Sequence, residues 1–203
     1  MIKLSRMKSI DGIYEDLLVI NKSKFYAFAY PVTTEADIKE YLENLRKKYS
    51  DATHICFAYS LSSPRLEKAD DNGEPSGTAG RPLLELIKKR NIENILLVVV
   101  RYFGGIKLGA GGLVRAYTNS GNLVLDKAKV VNLIEITKYM ATVEVSSGAK
   151  FMDTIRTMGG EILSCQYVEK VNITFVGNIK DKLLQLFPTA QIEDIGSEIV
   201  CEK

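Results

Sequence analysis

His54 is the only histidine in the chain. Histidine is the side chain whose charge ordinarily changes near neutral pH, so any proton transfer at that pH has one conventional candidate here. Thr53–Leu61 alternates as a half-covered strand does. Ile55, Phe57, Tyr59 and Leu61 point one way; His54, Cys56, Ala58 and Ser60 point the other. A Cys–His nucleophile pair needs thiolate and imidazole within hydrogen-bond reach. Side chains two apart on a strand stand roughly 7 Å apart and run parallel, so this pair does not meet well. Cys56 is therefore expected as a small core residue, and His54 as a polar residue facing a cleft or helix. If the protein is an enzyme, His54 is its candidate acid–base.

Acids gather downstream, at Asp70, Asp71 and Glu74. They lie in a polar stretch, Ser62–Gly80, that reads as one long loop, and long loops in compact domains are usually functional or mobile. Three carboxylates close together suit Mg²⁺ or Ca²⁺. The spacing lacks the alternation and the distal Glu of an EF-hand, so an acidic turn capping local N–H groups is the expected reading. No metal site and no cofactor are expected. Ser76, Thr78 and Arg81 complete the polar candidates, and Thr78 and Pro82 open a helix.

A third constellation could hold an anion. No acid occurs between Glu93 and Asp126, while Arg101, Lys107 and Arg115 do. Nine of the fifteen glycines lie between Gly73 and Gly121, which needs a reason because glycine is entropically costly to order. Gly104, Gly105, Gly109, Gly111 and Gly112 sit between a strand, Ile95–Tyr102, and a helix from about Ala110 to Lys129. Free backbone N–H groups at such a helix start attract anions. A tight strand-to-helix corner predicts the same glycines and needs no ligand. A P-loop is excluded, because Ala110 follows Gly109 where Lys-Ser/Thr is needed; a dinucleotide fingerprint would need glycine where Val114 stands. Strand end, loop and helix start converge at one sheet edge, so Arg101, Lys107 and Arg115 are expected to share one pocket, with Tyr102 or Tyr117 available to stack on bases.

These stretches resemble a known family. The run Asp70-Asp71-Asn72-Gly73-Glu74-Pro75-Ser76-Gly77-Thr78-Ala79-Gly80-Arg81-Pro82, followed by Val98-Val99-Val100-Arg101-Tyr102-Phe103-Gly104-Gly105-Ile106-Lys107-Leu108-Gly109-Ala110-Gly111-Gly112-Leu113-Val114-Arg115-Ala116-Tyr117, is similar to the IMPACT (YigZ-like) family. The likeness extends upstream to Lys22-Ser23-Lys24-Phe25 and His54-Ile55-Cys56-Phe57-Ala58-Tyr59, with Asn72 a small departure. It implies a two-domain bacterial protein tied to translation control. It also implies an N-terminal half shaped like the second domain of ribosomal protein S5, and a second half like the small C-terminal module of translation elongation factors.

Supporting elements read as follows. Ile13–Ile20 and Lys24–Val32 form a hairpin across Asn21-Lys22-Ser23. Phe25, Ala27 and Ala29 take one face of the second strand, and Tyr26, Phe28 and Tyr30 the other, as in a covered central strand. Thr34 caps a helix that runs to about Tyr49, with Asp37 in a near capping box. From Glu135 the order is βαββαβ in about 70 residues, the ferredoxin-like pattern. The fold class is thus α+β in two domains, residues 1–132 and 133–203, the first an α/β two-layer domain.

Composition limits partners. Hydrophobic residues make up 46% and charged residues 26% of the 203, ordinary for a globular chain. No apolar run approaches the ~18 residues of a membrane span, and the N-terminus lacks the apolar stretch of a signal peptide. Cys56, Cys165 and Cys201 are odd in number and scattered, so a reducing cytoplasm is expected. Residues 1–130 carry net +5 and residues 131–203 net −3. A weakly basic half with an acid-free stretch suits a phosphate-bearing partner. The expected partner is RNA or the ribosome. The alternatives are a small phosphorylated substrate turned over with His54 as acid–base, or a protein partner in translation control.

Overall fold

Ile95–Val100 is apolar at every position, which suits a strand covered on both faces. The computed structural model, which describes residues 7–201, places this run at the centre of the first of two sheets. In chain order the elements are β1 (Met7–Ile10), β2 (Tyr14–Ile20), β3 (Ser23–Pro31), α1 (Glu35–Lys48), β4 (His54–Ser62), β5 (Arg65–Asp70), α2 (Gly80–Arg90), β6 (Ile95–Tyr102), α3 (Gly109–Lys127), β7 (Val130–Val143), α4 (Val145–Thr157), β8 (Glu161–Tyr167), β9 (Val171–Val176), α5 (Lys180–Leu186) and β10 (Gln191–Cys201). The described residues are thus mixed α+β, with two sheets and five helices. They divide into two compact units, residues 7–132 and 133–201. Among them no helix is long and apolar enough to cross a membrane. The N-terminal reading of residues 1–6 and the Cys201 side chain lie outside the described residues.

In the first unit the strand order is β2-β3-β6-β4-β5, every neighbouring pair antiparallel. Asn21 and Lys22 turn the β2–β3 hairpin with positive φ, 46° and 62°, the geometry that matches strand twist in a two-residue turn. The register sets Arg101 opposite Phe25 on one side and His54 on the other. Phe25, Ala27, Ala29, Cys56, Ala58, Leu97 and Val99 pack with Leu83 and Ile87 of α2 and with Tyr117 and Val124 of α3. Phe28, Tyr30, Ile55, Phe57, Leu96, Val98 and Val100 pack with Ile38, Leu42 and Leu45 of α1. Helices therefore cover both faces, and the unit has three layers, correcting the two-layer expectation. The physical reason is that β3 and β6 are apolar on both faces, and each face has to be buried.

A second correction concerns Ser62–Gly80. It is not one loop: β5 pairs with β4 from Phe57↔Asp70 to Ser62↔Arg65, across a turn with a cis Ser63–Pro64 bond. Arg65, Glu67, Lys68 and Asp70 make β5 a charged strand, which is how a sheet edge resists pairing with other chains. The α1 capping box forms: Thr34 Oγ1 accepts from Asp37 N–H at 3.1 Å, and Asp37 Oδ2 accepts from Thr34 N–H at 2.9 Å.

The second unit has the order βαββαβ from β7 to β10. Strand β7 pairs antiparallel with β9 and with β10, and β8 pairs with β9. Its core gathers Ala141, Val143, Phe151, Ile155, Val171, Ile173, Phe175 and Leu183.

Candidate functional site

Strand β6 ends by carrying Arg101 onto the α3 side of the sheet, where it is only 5% exposed. A buried guanidinium needs a partner, and Glu74 supplies it from the loop after β5. Arg101 Nη1 donates to Glu74 Oε1 at 2.5 Å, and the Tyr117 hydroxyl donates to the same oxygen at 2.8 Å. Phe25 and Phe103 lie against the guanidinium at 5.3 and 5.5 Å. Glu74 Oε2 faces His54 Nε2 at 3.8 Å, too far for a hydrogen bond. His54 Nδ1 lies 2.9 Å from the Asn72 carbonyl. A carbonyl only accepts, so Nδ1 carries the proton and Nε2 is the free nitrogen.

Above this network opens a cavity of about 430 Å³, walled by Thr53, His54, Glu74, Pro75, Arg101, Phe103 and the Lys107–Ala110 start of α3, with Leu113. No side chain caps that helix start, and its first turn holds no acid. Its leading N–H groups thus lack intrahelical partners. A larger cavity of about 620 Å³ lies between α2 and α3, lined by Arg81, Pro82, Leu86, Val114 and others. Its Arg90 is occupied by Asn122 and Asp126 at 2.7 and 2.6 Å, and the α2 start that lines it at Arg81 and Pro82 already gives its N–H groups to Asp71, so the smaller cavity is the candidate site.

The expected residues divide. Lys107 and Gly109 wall the cavity, and Lys107 is exposed with no ion-pair partner among the described residues. Arg115 is exposed on α3, outside the cavity wall, so the three cations do not share one pocket. Arg101 is not an open phosphate ligand, because Glu74 already neutralises it. Tyr117 is fully buried and cannot stack on a base. Tyr102 falls on the α1 face, where its hydroxyl donates to Asp51 Oδ1 at 2.6 Å. Gly104 is a packing corner: its N–H donates to Ser23 Oγ at 3.0 Å, and the Lys22–Ser23 turn presses on its Cα. Gly105 and Gly111 are exposed in the loop and the first turn of α3, and Gly112 is half-buried.

Cys56 is core. Its Sγ lies 2.9 Å from the Asp71 carbonyl and 3.3 Å from Tyr117 Oη, and burial pushes the thiol up to about 12. That removes the thiolate a nucleophile needs. Asp70 and Asp71 organise backbone. Asp70 Oδ1 accepts from Asn72 N–H at 2.8 Å. Asp71 accepts from Gly77 N–H at 2.7 Å, Ala79 N–H at 2.9 Å and Gly80 N–H at 2.8 Å. Asp71 thereby caps α2 from outside the helix, replacing the Thr78 start expected from sequence; Thr78 Oγ1 donates instead to the Pro75 carbonyl at 2.7 Å. Ser76 and Arg81 are exposed. Among the described residues no group of three His, Cys, Asp or Glu could hold a metal ion.

Burial pushes the Asp71 carboxyl up, but the three N–H donors pull harder and hold it below its ordinary value. A carboxyl lowered in the folded state stabilises above the unfolded value, near ~3.9. That contribution disappears as pH falls through the folded value. Asp71→Asn should therefore lower the urea midpoint at pH 7, and the gap to the parent should narrow by pH 3. A gap unchanged by pH would show that the charge of Asp71 contributes nothing.

One site residue has no signal in the sequence reading: Phe103 is 45% exposed at the cavity mouth, whereas the tyrosines expected to stack are buried or turned away. Glu74, expected in an acidic turn, is instead the buried partner of Arg101 and Tyr117.

Residues 21–125 match the family model of the Impact N-terminal domain, a span containing every site residue above. The chain is 48% identical over 118 residues to "IMPACT family member YvyE" of Bacillus subtilis (strain 168), covering 58% of this chain and 54% of that protein. It therefore spans about half the length of that relative. It is 32% identical over 151 residues to "IMPACT family member YigZ" of Escherichia coli (strain K12), covering 73% of this chain and 74% of that protein. A crystal structure of a hypothetical protein is similar at TM-score 0.75 and 27% identity, covering 95% of this chain and 98% of that one.

Proposed function

As this chain belongs to the IMPACT family, we propose that it is a translation-regulatory binding protein that holds single-stranded RNA, free or on the ribosome, at the start of α3. One observation carries this reading: exposed Phe103, Lys107 with no ion-pair partner among the described residues, and the uncapped, acid-free helix start meet at one cavity mouth. An aromatic ring for a base beside cations and N–H groups for phosphate is the combination that binds single strands. Arg115, exposed further along α3, extends the basic side. The translation link is the expectation that comes with the family resemblance.

Binding to a single-stranded RNA, measured across salt, tests this. Loss of one base stack costs ~1–3 kcal/mol, so Phe103→Ala should weaken binding about 5- to 150-fold. Each phosphate contact adds about −0.7 to the log–log salt slope, so Lys107→Ala with Arg115→Ala should flatten it by about 1 to 1.5. The control is Arg46→Ala with Lys47→Ala, at the end of α1 on the opposite face of the sheet. Equal losses from both pairs would reduce the effect to overall charge, and no loss from Phe103→Ala would remove the stacking contact.

A second reading, an enzyme acting on a small phosphorylated compound, is favoured by His54 alone: Nδ1 is pinned by a carbonyl and Nε2 is left free at the cavity. Any turnover found should vanish in His54→Asn.

A further inference from the structure

We infer that the cavity between β4, β6 and the start of α3 binds a phosphate monoester, with Lys107 and the leading N–H groups of α3 as its donors and the Nε2 edge of His54 facing it. This rests on the reading of the α3 start as an anion surface, and it narrows that surface to terminal phosphates.

Three observations point to a group that ends inside. The floor is closed: the Arg101 and Glu74 side chains that wall the cavity are only 6% and 3% exposed, while Phe103 and Lys107 at its mouth are exposed. An internal phosphodiester has chain leaving on both sides and needs two exits; a monoester needs one. The volume of about 430 Å³ falls in the range of small-ligand sites. Second, Arg101 Nε is buried without a hydrogen-bond partner among the described residues. Nη1 is committed to Glu74, and Phe25 and Phe103 occupy the guanidinium faces. A buried N–H left unpaired is costly and calls for an acceptor. Third, His54 makes a single hydrogen bond, to the Asn72 carbonyl, so Nε2 has no hydrogen-bond partner among the described residues. In the neutral ring Nε2 accepts, here from a hydroxyl of a singly protonated monoester; in the imidazolium it donates to the anion.

The charge balance selects the monoester. Arg101 offsets Glu74, so the carboxylate does not dominate the cavity. Lys107 and the helix start remain as uncompensated positive groups. A monoester carries about −1.5 to −2 at pH 7, against −1 for a diester, and gains more from each of them.

The lone histidine makes the test direct, because its ring signals in an NMR spectrum need no assignment. The full-length protein is titrated at constant pH with inorganic phosphate, with adenosine monophosphate and with dimethyl phosphate. Phosphate and the nucleotide should shift the His54 signals saturably, and the diester should bind about tenfold more weakly or less. Lys107→Ala, an exposed change that leaves the fold intact, should weaken monoester binding about tenfold. A 5′-phosphorylated RNA is then compared with its 5′-hydroxyl form. About tenfold preference for the phosphorylated end assigns the cavity to nucleic-acid ends; saturable nucleotide binding without that preference assigns it to small compounds. Monoester and diester acting alike, or neither moving His54, would overturn the inference. If RNA still bound in that case, the α3 surface would stand without the cavity. Monoester binding with no RNA affinity would instead overturn the RNA reading and keep the cavity.

Discussion

Arg101→Ala is expected to lower the unfolding free energy by about 3–5 kcal/mol, the cost of leaving a buried charge without its partner. Glu74 is 8% exposed and sits between Arg101 and Tyr117, with His54 beyond hydrogen-bond range. Removing the guanidinium strands that carboxylate and also removes the cation that Phe25 and Phe103 flank. The pair itself need not be stabilising, because two charges have been taken out of water to make it. Arg101→Met combined with Glu74→Gln should therefore recover part of the loss seen in Arg101→Met alone. Urea denaturation of the parent, the single variants and the double variant closes the cycle. A single-variant loss below about 1 kcal/mol, or a double variant worse than the two losses added, would show that the two residues do not act as a buried pair. Tyr117→Phe removes one hydrogen bond to the same oxygen and should cost about 1 kcal/mol.

The second large effect separates two adjacent glycines. A Cβ on Gly104 would lie 2.0 Å from Lys22 C, 2.2 Å from Ser23 N and 2.4 Å from Lys22 O. All three are backbone atoms of the β2–β3 turn, so no side chain can rotate away. Gly104→Ala should cost more than the ~1–3 kcal/mol of ordinary overpacking, and it should also break the Gly104 N–H bond to Ser23 Oγ. Gly105 has φ +83° and open space around it. Gly105→Ala meets only the left-handed backbone penalty of about 1–2 kcal/mol. Comparing their urea midpoints tests which glycine is there for close approach. If Gly104→Ala were tolerated as well as Gly105→Ala, the loop would not rest on the turn as described.

The corner and the anion readings of these glycines, indistinguishable in sequence, fall on different residues in the fold, and the anion reading remains the proposal made above. Gly104 is a corner. The N–H groups that an anion could use begin at α3, where Leu108 offers no cap and Gly109 wall the cavity beside Lys107.

What the sequence by itself determined was local and periodic. The two apolar faces of Phe25–Tyr30, the Thr34–Asp37 capping box, the core character of Cys56 and the continuous strand at Ile95–Tyr102 could each be read within a window of a dozen residues, and the βαββαβ order of the second half is a succession of such windows. Side-chain alternation and helix-end hydrogen bonding are short-range, so their traces are short-range too. The tertiary structure alone decided the rest. Arg101 meets Glu74 across 27 positions, and Tyr117 meets Glu74 across 43. Asp71 caps a helix that begins nine residues later. Of three aromatic residues near the Gly-rich loop, Tyr102 is turned to the far face and Tyr117 is sealed in the core, while Phe103 is left to solvent. Which cation is neutralised, and which ring stays free, depends on what the folded chain brings alongside each side chain, and pairing at that separation leaves no periodic signal in one sequence.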